Sequence, residues 1–248
     1  MDPLSSFPET PPQQWHAHQA FQDASGQLPW ALGGFLLRGH DRVILVDAGY
    51  GPGVVGGIRT GRFLVSLEEL GVGRADVTDV LFTHLHIDHV GWASIGGVAQ
   101  FPNATLRCSA ADLDHFVVRR NDPPSYQRLD PCQHQLETFD HSPAPPAISL
   151  VAAPGHTPGS TVIVISDTED RAILLGDVVH SPVQLLEPEW NTIWDVDPVL
   201  ARRTRGRVVD ELQQEPSAVL SAGHFPGLNF GRLLVSERRR QWSAPPTR

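Results

Sequence analysis

The segment Thr83-His84-Leu85-His86-Ile87-Asp88-His89 places four potential metal ligands within six residues, directly after an aliphatic run. On an extended backbone, side chains two apart point the same way, so His84 and His86 can grip one ion together. Asp88 and His89 come where the chain must turn, and can face a second point nearby. Gly91 then allows close backbone approach. Burying four polar groups together is costly without a charge partner, so metal binding is the reading this cluster favours. Three more candidates sit at the ends of aliphatic runs. His156 lies in Pro154-Gly155-His156-Thr157-Pro158-Gly159, Asp177 follows Leu175-Gly176, and His224 follows Ala222-Gly223. Each time an apolar segment delivers one ligand into a glycine-containing loop. His16, His18, His40, His115, His134 and His141 lack that setting and read as surface or hydrogen-bonded residues. Asp47, in Val46-Asp47-Ala48-Gly49, is open between a turn residue and a functional one.

These ligands need a scaffold that brings distant loops to one edge. Residues 32–38 and 42–47 are aliphatic-rich runs around Gly39-His40-Asp41, a hairpin signal. Residues 49–57 read as a loop. Phe63, Leu64, Leu67 and Leu70 recur at helical spacing, and Gly71 follows as a stop. Strands are expected over 77–83, 105–108, 148–153, 161–165, 172–175 and 218–221. Ser109 to Asp112 resembles a capping box opening a helix through about Arg119. A second helix is expected over 198–212. The stretch 121–146 reads as a long excursion with, at most, a short helix. Strands first in each half, with helices between and after them, suggest two sheets packed face to face with helices outside. Residues 1–14 read as a flexible N-terminal arm, and 15–248 as a single domain.

Composition narrows the partners. The chain has 248 residues and a net charge of −9, with no lysine. An acidic surface repels phosphate backbones and anionic lipid, which argues against nucleic acid and membrane and for a small-molecule substrate. The basic run Arg238–Arg240 reads as a solvated helix end. Cys108 and Cys132 form no C-x-x-C pair, and two free thiols fit a reducing, cytoplasmic setting. The start of the chain lacks the charged and apolar regions of a secretory signal. The oligomeric state is open, a homodimer included.

The string His84-x-His86-x-Asp88-His89, followed in order by His156, Asp177 and His224, resembles the metallo-β-lactamase superfamily. Val46-Asp47-Ala48-Gly49 and Pro154–Gly159 resemble its first and third motifs, and the resemblance covers about residues 30 to 230. It implies an α/β fold, the four-layer αββα sandwich, with metals at one edge. It also implies that His84, His86 and His156 hold one divalent ion, Asp88, His89 and His224 a second, and that Asp177 bridges both. Zn²⁺ suits these ligands best, with Fe, Mn or Co as alternatives. Two divalent ions set against Asp88, Asp177 and a bridging hydroxide leave the site near +1, which favours a transition state gaining negative charge. Asp88 would move the proton.

Within the superfamily, class B β-lactamases often carry Cys where this chain has Asp177, and use a nearby Lys that is absent here. Nuclease branches add domains or basic surfaces, and diiron flavoproteins add a flavin domain. Gly176-Asp177-Val178-Val179-His180, then 183–190 and Asp195-Val196-Asp197-Pro198, resemble the lactonase and organophosphate-hydrolase-like branch. There His180 would either donate to the substrate or hold a ligand. The expected reaction is hydrolysis of an ester-type bond, a lactone first, with aryl esters and phosphotriesters as alternatives. The rival is a mononuclear-iron dioxygenase acting on a thiol or persulfide.

Overall fold

Strand β5 buries every side chain of Asp79–Leu81, the mark of a strand covered on both faces. The computed structural model describes residues 1–39, 41–141, 144–167, 169–236 and 239–244. They fall into two units, Leu32–Ala144 and the combination of Met1–Ala31 with Pro145–Arg248. His40, Arg238 and part of the 121–146 stretch lie outside the described residues.

In the first unit, β1 (Phe35–Gly39) and β2 (Arg42–Val46) form the expected antiparallel hairpin, with Phe35 opposite Val46. The stretch expected to be a loop contains a small hairpin, β3 (Gly53–Val55) and β4 (Ile58–Thr60). Its glycines permit that turn, since Gly56 and Gly57 both take positive φ. β5 joins β2 in parallel, β6 (Ser94–Ile95) and β7 (Val98–Ala99) make a second short hairpin, and β8 (Thr105–Cys108) joins β5 in parallel. β9 (Leu136–Thr138) completes a five-stranded sheet of order β1-β2-β5-β8-β9. β9 lies inside the stretch read as an excursion. That stretch also holds a helix, Pro123–Leu129, and a 3₁₀ turn, Asp130–Gln135. Leu129 and Cys132 anchor it in the unit's core beside Phe82, Leu106 and Phe116. The short helix agrees with the sequence reading; β9 and the turn were missed, because Gln127, Gln133 and Gln135 interrupt any apolar period.

The second unit carries a four-stranded sheet of β10 (Ile148–Ala152), β11 (Thr161–Ser166), β12 (Arg171–Leu174) and β13 (Val219–Ser221). β10 runs antiparallel to β11, β11 antiparallel to β12, and β12 parallel to β13. It follows that β10, β12 and β13 all point one way. The loops leaving their C-terminal ends begin at the same sheet edge, and those loops carry His156, Asp177 and His224. The helix Pro198–Leu212 is as expected. Asp197 caps it by accepting from the Leu200 N–H at 2.9 Å, and Pro198 sits where its missing N–H costs nothing. Ala201, Arg205, Val208, Val209 and Leu212 form its buried stripe. β14 (Arg232–Ser236) and β15 (Arg239–Ser243) pair as a hairpin. Arg239 and Arg240 therefore lie on a strand rather than at a helix end. Residues before Gln14, read as an arm, contain the short helix Pro3–Ser6. Phe7 is fully buried and packs with Trp15, Leu28, Val183 and Trp190. Composition alone hides this, since Met1, Leu4 and Phe7 are scattered among prolines and polar residues.

Candidate metal centre

In the first unit, β5 runs out at Leu81, and the next residues form a buried polar knot. Asp47 leaves β2 with φ near +62°, a left-handed conformation that Asp tolerates better than most residues. This turns its carboxylate onto the histidine segment. Asp47 Oδ1 accepts from the Thr83 N–H at 2.8 Å, and Oδ2 accepts from the Thr83 hydroxyl at 2.8 Å. Nδ1 of His89 also lies 2.8 Å from Oδ2. A carboxylate only accepts, so Nδ1 carries the proton and Nε2 is left to bind a cation. Asp47 is thus more than a turn residue.

The rings of His84 and His86 lie 4.9 Å apart and perpendicular, while those of His84 and His89 lie 3.9 Å apart. Asp88 is partly exposed, with Oδ2 4.0 Å from Nε2 of His89. Between the first two histidines, the Leu85 N–H donates to Asp112 at 3.1 Å. Asp112 was expected to close a capping box. Ser109 does cap the turn by accepting from the Ala111 N–H, but Asp112 holds the ligand segment. Gly91 is required where it stands, because a Cβ there would lie 2.0 Å from the Tyr50 carbonyl.

In the second unit, Asp177 is the focus. Its Oδ2 lies 3.0 Å from Nε2 of His224, 3.2 Å from Nε2 of His180 and 3.5 Å from Nε2 of His156. All four side chains are buried. The far side of two of these rings is occupied. His224 Nδ1 lies 2.9 Å from the Ala31 carbonyl, and His156 Nδ1 lies 3.2 Å from Asp195 Oδ1. Burial would raise the Asp195 carboxyl, but the hydrogen bond from His156 and the charges of His180 and Arg205 outweigh it and hold it at about 2. Burial pushes His156 below the usual imidazole range, which favours its neutral form.

This donor set fits a divalent cation. With Nδ1 protonated toward an acceptor, a neutral His156 turns the Nε2 lone pair toward an anionic oxygen. Two electron-rich atoms in a dry site repel unless they share a positive charge, and Nε2 of histidine with a carboxylate oxygen is a common metal-binding pair. His156, Asp177 and His180 offer ligand atoms within 4.8 Å of one another.

Aromatic rings enclose the same histidines. His180 stacks on Trp194 and on His224, with centroids 5.4 Å and 5.6 Å apart. Trp30, half-buried, stacks on Trp194 and leans against His224. Trp30 lies far from all of these histidines in sequence, and only the fold brings it to His224. Asp195 stood out in the sequence only as part of a motif, with no role attached, and Arg205 did not stand out at all. Arg205 is one of several arginines on its helix, and only the fold shows which of them turns inward.

Comparison with known proteins agrees with the geometry. The sequence profile of the Metallo-beta-lactamase superfamily matches residues 34–224. The chain belongs to that superfamily. A probable metallo-hydrolase of Mycobacterium tuberculosis (strain ATCC 25618 / H37Rv) is 28% identical over 180 residues, which are 58% of this chain and 56% of that protein. The chain thus spans little more than half the length of that curated relative. Among solved structures, AidC, described as a dizinc quorum-quenching lactonase in complex with a product, superposes with a TM-score of 0.86. It is 24% identical, and the match covers 99% of this chain and 90% of that one. The hydrolase AbOPH of the β-lactamase superfamily gives a TM-score of 0.87 at 24% identity, covering 100% and 91%. At these identities the likeness establishes the metallo-β-lactamase fold, as the ligand string implied. Among the described residues, no helix is long and apolar enough to cross a membrane.

Proposed function

We propose that this superfamily member is a dinuclear metal-dependent hydrolase of ester-type bonds, with a lactone as the leading substrate. His84, His86 and His156 would hold one divalent ion, Asp88, His89 and His224 the other, and Asp177 would serve both. Zn²⁺ is the first choice. When bound, such ions supply hydroxide near neutral pH and a Lewis acid for a carbonyl or phosphoryl oxygen. The protein's own residues do the rest. Asp47, Asp195 and the Ala31 carbonyl keep the Nε2 atoms of His89, His156 and His224 free of protons. Asp88, partly exposed, is the group able to pass a proton between the site and solvent. Trp30 and Trp194 offer an apolar wall beside His180 and His224, suited to an acyl chain or an aryl group. The helix and turn within 121–146 are read as part of the substrate rim.

The observation that carries this reading is the convergence of three imidazole nitrogens on one Asp177 oxygen. The lactonase preference rests on the Asp177-Val178-Val179-His180 segment, with AidC as a parallel in fold. The absence of lysine removes the residue that grips a substrate carboxylate in many β-lactamases. The net charge of −9 favours a small neutral substrate over nucleic acid. The test is metal analysis paired with a panel of lactones, aryl esters, phosphotriesters, thioesters and β-lactams. Two ions per chain with lactone turnover is the expected result. One iron per chain with thiol-dependent oxygen uptake would replace the hydrolase by a dioxygenase.

A further inference from the structure

Arg205 is the largest fully buried side chain among the described residues, and it occupies a position on the helix Pro198–Leu212 where an apolar residue would pack. Several contacts of its guanidinium lead toward loops that carry a histidine or carboxylate of the candidate metal centre. Nε donates to the Val178 carbonyl at 2.8 Å, one residue beyond Asp177. Nη1 donates to the Trp190 carbonyl at 2.8 Å and to the Pro188 carbonyl at 3.1 Å. The Trp190 carbonyl also accepts from Gln184 Nε2, and Gln184 Oε1 accepts from the His180 N–H at 2.6 Å. Nη2 donates to Asp195 Oδ2 at 3.1 Å, and the other Asp195 oxygen faces Nδ1 of His156. The backbone closes the frame, with the Val196 N–H donating to the His156 carbonyl at 3.0 Å.

A buried guanidinium is expensive, and a well-packed apolar side chain often serves stability as well or better. The cost has a use if the charge fixes geometry that an apolar residue could not. We infer that Asp195 and Arg205 are positioning residues for metal capture: Asp195 holds His156 with Nδ1 protonated and Nε2 available, and Arg205 locks Asp195, the Asp177 loop and the His180 loop into one frame. Neither touches substrate or metal. The inference rests on His156 and Asp177 being metal ligands, and it adds the residues that preset them.

The test uses the full-length protein and Zn²⁺ alone. Zn²⁺ affinity is measured by competition with a chromophoric chelator for the wild type, Asp195→Asn, Asp195→Ala, Arg205→Lys and Arg205→Met. The His156 tautomer of the metal-free proteins is read by ¹⁵N NMR. Loss of such a partner weakens metal binding by about 10–100-fold. Asp195→Ala is expected to fall in that range and to mix the two tautomers, with Asp195→Asn intermediate. Arg205→Lys, which keeps the charge, should retain more affinity than Arg205→Met. A merely structural Asp195 would lower melting temperature without moving the tautomer or the affinity of the folded protein. Unchanged tautomer and Zn²⁺ affinity in folded Asp195→Ala overturn the inference; if that variant does not fold, unchanged Zn²⁺ affinity in folded Arg205→Met overturns it. A wild type that takes up no Zn²⁺, Fe, Mn or Co overturns the metal reading, and the inference falls with it.

Discussion

Asp177→Ala removes the oxygen on which three ring nitrogens converge, so it should strip metal more completely than His224→Ala, which deletes one terminal donor. Elemental analysis of the two variants after identical loading checks this; equal losses would deny Asp177 its shared role. His180→Ala separates two roles for a side chain whose Nε2 lies 3.2 Å from Asp177. If His180 donates to a developing oxyanion, kcat falls by about a hundredfold or more with both ions retained. If it holds Asp177 in place, metal is lost with the activity. In the first unit, Asp47→Ala removes the acceptor that His89 Nδ1 shares with the Thr83 N–H and hydroxyl. A drop of about 10–100-fold in metal affinity is expected from that change. The candidate ligands stood out in the sequence, because four of them crowd into residues 84–89. Their partners did not. Asp112 looked like the closing residue of a capping box and Asp195 like part of a family motif, and nothing in their neighbours says which buried group they face.

The elements that carry the ligands depend on a few close approaches. Gly155 has φ near +137°, and a Cβ there would lie 2.3 Å from the backbone nitrogen of Ala201. Gly155→Ala should therefore push the His156 loop off the start of the helix Pro198–Leu212. Strain of about 1–3 kcal/mol is expected. In a chain of this length each kcal/mol lowers Tm by roughly 2–4 °C, which differential scanning calorimetry resolves. In β5, Asp79 is buried against Arg42 and Arg107, and accepts from both guanidinium groups. Burial acts to raise its carboxyl, but hydrogen bonds from Thr78, Arg42 and Arg107 win and hold it below 3.8. A folded-state value below the unfolded one means the stabilisation is present above about pH 4 and is lost as pH falls further. Asp79→Asn should cost about 3–5 kcal/mol in urea unfolding near neutral pH, since it leaves buried Arg107 without its anion. The variant's acid-side slope should be shallower than the wild type's. Pro198–Leu212 was legible because Asp197 and Pro198 mark its start and an apolar stripe runs along it. The β14–β15 hairpin was not, because adjacent arginines mask the alternation that buries Leu233.

Across the chain, the superfamily and its fold were legible from ligand order alone, while the N-terminal segment was misjudged. Phe7 packs edge-on to Trp15 and Trp190, with ring centroids 5.5 Å and 6.3 Å away. Phe7→Ala should cost about 3–5 kcal/mol, far more than the same change in a loose arm. A near-zero effect in thermal unfolding would restore the arm. The tryptophans are unevenly shared between the two units. Of the six in the chain, Trp15, Trp30, Trp190, Trp194 and Trp242 belong to the second unit, and Trp92 alone to the first. Intrinsic fluorescence is therefore close to a private signal of the unit that holds Asp177. Far-ultraviolet circular dichroism, in contrast, samples the backbone of both. Denaturation curves that coincide by the two probes mean the halves melt as one cooperative body; curves that part report two separate transitions. With the stacked indoles Trp30 and Trp194 lying beside His224 and His180, ion uptake at the proposed site is expected to change their fluorescence, a readout that needs no added dye.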